Sequence, residues 1–293
     1  ILPQLNIGGV ERGTLDLSKA LIHKGHQSFV ISGGGVLVDE LSQCGAKHYE
    51  IPVHIKSLRT LSLAKRLSET ISSIDPDIVH VRSRMPAWVN YRAFKMLQKK
   101  PLLVSTFHGL YSFPIYSKVM SFVDHSIAIS KTVERYILEN YKLDKGDITV
   151  IPRGCDPLEF NNEVINPVDK ANIIEEFPQI VGKKVLTIPG RITKWKGVAE
   201  FIDLLSLLDD NYHGLIVGPT AKSKKKYLNK LQYKVSSLNL EDKITFTGSR
   251  RDIANIYKIS DIVFNLSQTP EPFGRTMIEA IACGAKVVGW NHG

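Results

Sequence analysis

The sequence predicts an α/β protein with parallel sheets in two doubly wound domains, and three features carry that prediction. Short apolar runs alternate with amphipathic helical stretches along the whole chain, the pattern of repeated βα units. Residues 261–290 read as strand (DIVFNLS), acidic loop, helix and strand (KVVGW), a βαβ unit whose strands must run parallel. The alternation begins afresh with a strand at KVLTIPGRI, 184–192, beyond the segment RGCDPLEF, 153–160. The domains are therefore set at 1–153 and 154–293, and 293 residues with 43% hydrophobic content suffice for two cores.

The elements follow in order. ILPQL (1–5) reads as the end of a strand, NIGGVERG as a glycine-rich turn, and TLDLSKALIHKG (14–25) as a helix closed by Gly25. SFVIS (28–32) is a strand, 37–44 a short helix and 48–52 a strand. Ser57–Ile74 reads as one amphipathic helix whose polar face carries Lys56, Arg59, Lys65 and Arg66. Such a basic face can lie on an anionic membrane, but a surface helix packed on a sheet is the favoured reading. Asp75-Pro76-Asp77 has the look of a metal-binding D-x-D pair. It precedes the strand IVHV (78–81) instead of leaving one, so no metal is read there. A helix start at HVRSRMPAW, strands at 102–111 and 123–130, a helix capped by Ser130 and a strand at 147–152 complete the first domain. The second runs strand 184–192, helix 198–208, strand 213–219, basic helix 221–238, and strand, turn and helix over 243–261. The 261–290 unit closes it, its helix stopping at Gly284.

Composition excludes several classes. No apolar run approaches the ~20 residues of a membrane span, and no secretory signal pattern is visible. Cys44, Cys155 and Cys283 are scattered without ligand spacing, which points to free thiols in a reducing compartment. The net charge is +9 and uneven. Residues 1–153 hold 20 Lys and Arg against 13 Asp and Glu; residues 154–293 hold 18 against 16. The first domain is thus suited to an anionic surface or acceptor. No nucleic-acid-binding motif accompanies the dispersed basic residues, so a nucleic-acid partner is not expected.

Chemistry-bearing residues cluster where strands end, the place ligands occupy in open α/β sheets. The start of the last helix, from Gly274 through Arg275, Thr276 and Met277, offers free backbone N–H groups for an anion. Glu271 precedes this anion site and Glu279 follows it, at the spacing of ribose, diphosphate and sugar laid across one loop. Read alone, Glu271 is as well explained by a helix N-terminus and Glu279 by a solvated helix face. Arg191 and Lys196, in GRITKWKG after a strand, would offset a diphosphate. Gly218 ends a strand on the same side. In the first domain, Gly8 and Gly9 form a phosphate-type turn, although a tight βα connection needs glycine there anyway. Arg82 and Arg84 just past a strand suit a phosphate- or carboxylate-bearing acceptor, and His108 stands at the exit of another strand.

EPFGRTMIE, with two glutamates eight positions apart, resembles the signature of family 4 glycosyltransferases, and the resemblance spans essentially the whole chain. It implies the GT-B fold, two Rossmann-like domains facing a cleft, and a retaining transfer from a nucleotide-diphosphate sugar without metal or other cofactor. By resemblance His108 hydrogen-bonds the transferred sugar, Glu271 binds that sugar, Glu279 binds the ribose, and Arg191 and Lys196 bind the diphosphate. Gly8, Gly9, Gly218 and Phe273–Met277 are then donor contacts, Glu11, Arg12, Arg82 and Arg84 acceptor contacts, and Thr247–Arg250 hold the base. RGCDPLEF departs from the family linker at Arg153, where Asn is usual. The family also continues past the equivalent of Gly293, which implies a C-terminally incomplete second domain. LPQLNIGGVERG and HVRSRMPAW resemble bacterial lipopolysaccharide-core transferases, implying GDP-mannose as donor and an anionic glycolipid or saccharide acceptor. The expected location is the cytoplasm, peripheral on the inner membrane face. Alternatives are an epimerase of the same architecture and an inactive nucleotide-binding remnant.

Overall fold

The computed structural model describes residues 1–6, 8–55, 57–111 and 114–293, without the side chain of Leu58. Contacts divide it into two units, Ile1–Pro152 and Arg153–Gly293, one residue from the boundary read in the sequence. Ile7 of the glycine-rich turn and Lys56 of the basic face lie outside the described residues.

The first unit contains strands β1 (Phe29–Ser32), β2 (Lys47–Glu50), β3 (Ile78–Val81), β4 (Leu102–Phe107), β5 (His125–Ala128) and β6 (Ile148–Val150). Its helices are α1 (Gly9–His23), α2 (Val38–Gln43), α3 (Ala64–Ile74), α4 (Arg84–Phe94), α5 (Pro114–Ser117) and α6 (Lys131–Asn140). β1 and β2 pair in parallel, and β3-β4-β5-β6 form a parallel four-stranded sheet. Residues 1–5 are not themselves a regular strand, yet they bridge the two sheets. Leu2 N donates to Ile31 O at 3.1 Å on one side, and Arg82 N donates to Ile1 O at 3.0 Å on the other. The resulting sequence of segments, β2, β1, residues 1–3, β3, β4, β5, β6, reverses direction between residues 1–3 and β3. That reversal is a topological switch point.

The expected single helix over Ser57–Ile74 is instead a 3₁₀ turn, Leu58–Leu63, followed by α3. Ser57 caps the turn by accepting from Arg59 N, which tightens the chain before the α-helix begins. α1 starts five residues earlier than read, at Gly9, because the glycine pair enters the helix. Asp75 ends α3 in the left-handed region and pairs with Lys99 at 2.8 Å. The D-x-D look-alike is thus a helix terminus.

The second unit contains β7 (Lys184–Pro189), β8 (Tyr212–Val217), β9 (Ile244–Gly248), β10 (Ile262–Asn265) and β11 (Lys286–Gly289). Its helices are α7 (Pro167–Glu176), α8 (Val198–Ser206), α9 (Lys225–Ser237), α10 (Ile253–Ile259) and α11 (Arg275–Ala282). All five strands are parallel in the order β11-β10-β7-β8-β9, with the reversal between β7 and β10. Both faces are covered. Leu186, Ile188 and Ile216 pack with Phe201, Ile202, Leu205 and Leu231 of α8 and α9. Val185, Leu215 and Val217 point the other way onto Ile173 and Ile256 of α7 and α10. This alternation follows the period-two strand geometry, and each fully buried large side chain contributes about 1.5–3 kcal/mol.

His213 on β8 is fully buried and hydrogen-bonded to Thr245 at 2.9 Å. Burial, aided by the Lys183 charge, pulls its pKa down to about 4. Unfolded, it titrates near 6.5. Between those values the unfolded chain binds the extra proton, so stability falls as pH drops, by about 3 kcal/mol over the window. Urea unfolding of wild type and His213→Gln near neutrality and near pH ~4.5 should show a steeper loss in wild type. Equal pH dependence in the two proteins would refute this assignment.

Candidate functional site

The switch point of the second unit brings two loops together, one after β7 (residues 190–197) and one after β10 (266–274). Glycines set the first. Gly190 (φ 136°) and Gly218 (φ 151°) meet backbone to backbone, leaving no room for a Cβ on Gly218. Gly197 (φ 75°) lies so close to Leu266 O that a Cβ there would overlap it. These approaches hold the β7 loop against the exit of β10.

Lys196 and Glu271 consequently form an ion pair, with side chains only 17% and 16% exposed. Glu271 Oε1 also accepts from Ser267 Oγ at 2.6 Å and from Asn265 Nδ2 at 3.4 Å. Ser267 Oγ is in turn 2.7 Å from Asn265 Oδ1. Among the described residues Oε2 of Glu271 has no recorded hydrogen-bond donor. Lys196 Nζ sits 4.5 Å over the Trp195 ring. Arg191, from the same loop, is exposed. Sequence reasoning identified Lys196 and Glu271 but missed Asn265 and Ser267, which read only as part of the strand DIVFNLS.

Beside this pair α11 begins. Its N-cap is Gly274 (φ 80°), with no side-chain cap and no acidic residue in the first turn. Gly274 and Met277 line a cavity of about 160 Å³ with Asn265, Ser267, Glu271 and Phe273, together with residues 289, 290, 292 and 293. Met277 N–H is not free as the sequence reading had it, because it donates to Gly274 O at 2.9 Å. An uncapped helix start carries partial positive charge and favours an anion. His292 closes one side through a 2.8 Å hydrogen bond to Ser267 O.

Glu279 lies deeper than the alternative of a solvated helix face would have it. It is 8% exposed, and Arg275 Nε donates to its Oε1 at 2.7 Å. Burial, aided by the Glu279 carboxylate, raises the phenol pKa of Tyr257. Burial comes first, with the same carboxylate, in raising that of Cys155. Arg250 is committed within the fold: it bonds Asp252 at 2.9 and 2.7 Å and Glu176 at 2.5 and 2.6 Å.

In the first unit residues 1–3 lie beside β3 at that unit's own switch point, so the chain leaves toward Gly8 and toward Arg82 from neighbouring segments. Gly8 lies against the Glu11 carboxylate, while an added Cβ at Gly9 would meet nothing within 4 Å. Among the described residues, packing therefore does not require glycine at position 9. Arg12 pairs with Glu40 at 3.1 Å. Arg82 is 6% exposed, whereas Arg84 opens α4 in a half-buried position. His108 follows β4, its N–H 3.4 Å from Tyr111 Oη.

A larger groove of about 680 Å³ opens at the amino-terminal end of β4, lined by Tyr91, Phe94, Lys95 and Phe122. It is remote from the switch point, and the convergent charged groups lie at the opposite strand ends. Among the described residues no group of three or more His, Cys, Asp or Glu side chains is arranged to hold a metal. The three cysteines are free, and no helix among the described residues is long and apolar enough to cross a membrane.

Comparison with known proteins gives a consistent pattern. The profile of Glycosyltransferase Family 4 matches residues 7–158, and that of Glycosyl transferases group 1 matches 169–293. A glycosyltransferase structure from Rickettsia africae ESF-5 is similar at 35% identity and a TM-score of 0.88, covering all of this chain and 79% of that one. The structure of Anabaena Alr3699/HepE in complex with UDP-glucose has a TM-score of 0.83 at 22% identity, covering 100% of this chain and 80% of its own. Mannosylfructose-phosphate synthase of Agrobacterium fabrum is 34% identical over 180 residues, 58% of this chain. The match spans only 38% of that synthase's length.

Proposed function

The chain belongs to glycosyltransferase family 4, and from that premise we propose that it transfers a sugar from a nucleotide-diphosphate sugar to an acceptor hydroxyl with retention of configuration. The observation that carries the reading is the meeting of Lys196 and Glu271 at the β7/β10 switch point beside the uncapped start of α11. There a diphosphate finds a cation and helix N–H groups, and a sugar hydroxyl finds Glu271 Oε2. Arg191 supplies a second, bidentate cation. The Anabaena neighbour with UDP-glucose supports a donor of this class. Glu279 is proposed to take the ribose hydroxyls, with Arg275 orienting its carboxylate.

The C1–O bond to the diphosphate breaks as the acceptor oxygen bonds C1 on the same face. The acceptor proton passes to the departing phosphate oxygen, and His108 hydrogen-bonds the sugar. Negative charge grows on the leaving group, so Arg191 and Lys196 stabilise the transition state more than the ground state. With two cations in that role, the proposed reaction needs no metal. The acceptor is proposed to be anionic and held by the first unit, and GDP-mannose with a lipopolysaccharide-core acceptor is the specific pair proposed. The synthase from Agrobacterium, named for a mannosylfructose-phosphate product, is consistent with a mannosyl donor and a phosphate-bearing acceptor.

Calorimetric titration of the chain with UDP, GDP and ADP tests the site and identifies the base. One nucleotide should saturate. Arg191→Ala should weaken it about tenfold to a hundredfold, the loss of one charge-assisted bidentate contact worth ~1.5–3 kcal/mol. Failure of all three nucleotides to bind would sink the proposal.

A further inference from the structure

Arg84 is held in a way that its sequence neighbours do not explain. The guanidinium carbon lies 4.8 Å from the Tyr111 ring centroid and 5.4 Å from that of Tyr116. The backbones that carry both rings are anchored. Trp88 Nε1 of α4 donates to Tyr116 O at 2.9 Å, and the Tyr136 hydroxyl of α6 donates to Tyr111 O. Arg84 Nη1 reaches Ser117 Oγ only at 3.4 Å. Among the described residues no carboxylate forms an ion pair with Arg84.

A half-buried guanidinium with aromatic rings on it and no counter-charge is costly unless something completes it. Ring contacts engage the π-face and leave the N–H groups in the guanidinium plane, the directions that match a carboxylate or phosphate bidentately. Arg84 is also the first residue of α4, whose N-cap Ser83 makes no side-chain cap bond, so helix N–H groups lie at the same place. Tyr111 links the arrangement to the His108 loop through the 3.4 Å contact from His108 N–H to its hydroxyl.

We propose that Arg84, held by Tyr111 and Tyr116, is the specificity-determining residue that reads a phosphate or carboxylate on the acceptor. This rests on the reading that the first unit receives the acceptor. The guanidinium is preorganised by two rings whose backbones are anchored from two different helices, so little side-chain freedom is lost when the anion binds. Neutral saccharides of the same shape leave the guanidinium uncompensated and are discriminated against.

The test is ¹⁵N NMR of arginine Nε–H groups in the whole chain, with the Arg84 signal assigned by its loss in Arg84→Lys. Fructose 6-phosphate and inorganic phosphate probe the phosphate form, L-malate the carboxylate form, and fructose serves as the neutral control. The expected result is a saturable shift of the Arg84 signal with one anion class and none with fructose. Arg84→Lys should weaken binding about tenfold or more, because an ammonium keeps charge but loses the fork. An Arg84 signal unmoved by every anion, or moved equally by fructose, overturns the proposal, and wild type suffices for that measurement. UDP, GDP and ADP titrated into the same sample separate the two readings. Nucleotide binding with a silent Arg84 retains the transferase and removes only the anion reader.

Discussion

A Lys196→Met variant is expected to turn over about 10²–10³-fold more slowly than the parent, the scale measured when one preorganised group facing a developing charge is removed. Without ligand, Lys196 is neutralised by Glu271 in a nearly buried pair. Methionine fills similar volume but leaves the Glu271 carboxylate held by Ser267 and Asn265 alone. Two consequences follow from that one change. The unpaired carboxylate destabilises the second unit by about 1–3 kcal/mol, less than the 3–5 kcal/mol of a fully buried pair because some solvent reaches it. It also repels the diphosphate that Lys196 would attract.

The double variant Lys196→Met/Glu271→Gln separates these effects. Glutamine removes the stranded charge and keeps the shape, so thermal stability should recover most of its loss. Turnover should not recover, because no cation faces the leaving group. The measurements are melting temperature and release of nucleoside diphosphate from the donor whose nucleotide binds. Turnover of Lys196→Met within about threefold of the parent, less than ~1 kcal/mol of barrier, would remove Lys196 from the chemistry.

The parts of this fold that were legible in the sequence are those set by local pattern. Strands such as Ile78–Val81, after Pro76, and the βαβ unit ending in Lys286–Gly289, after Gly284, announce themselves by apolar runs that follow a turn residue. Less visible was α7, although Asn166 accepts from Val168 N and Pro167 opens the helix, a good start signal. Its stripe is weak, with only Ile173 buried, so periodicity gave little to read. Strand order was not legible, because parallel neighbours come from distant segments. It is strand order, however, that puts Lys196 and Glu271 in contact across 75 positions. Composition could not tell which of Arg82 and Arg84 is buried. Tyr111, beyond β4, and Tyr116, in α5, reach Arg84 with their backbone carbonyls held by α6 and α4, a relation that leaves no spacing signature.

The same reasoning, that backbone approach sets side-chain position, makes Gly197→Ala a severely damaging small substitution in the second unit. Two costs add there. A left-handed φ of 75° is strained for alanine, and the new methyl group would overlap Leu266 O. Gly182 separates the two, since its φ is 74° and an added Cβ meets nothing within 4 Å. Gly182→Ala should therefore show the strain alone, about 1–2 kcal/mol. Gly197→Ala should cost about 3 kcal/mol or more, with a melting shift of ~10 °C against ~4 °C for the control. The clash is relieved only by moving the β7 loop away from β10, and Lys196 is its neighbour in sequence. Nucleotide affinity should then fall along with stability in Gly197→Ala and stay unchanged in Gly182→Ala. Equal melting shifts in the two variants would mean that the Leu266 contact is easily relieved. An unaltered affinity in a destabilised Gly197→Ala would mean that the loop does not set the position of Lys196.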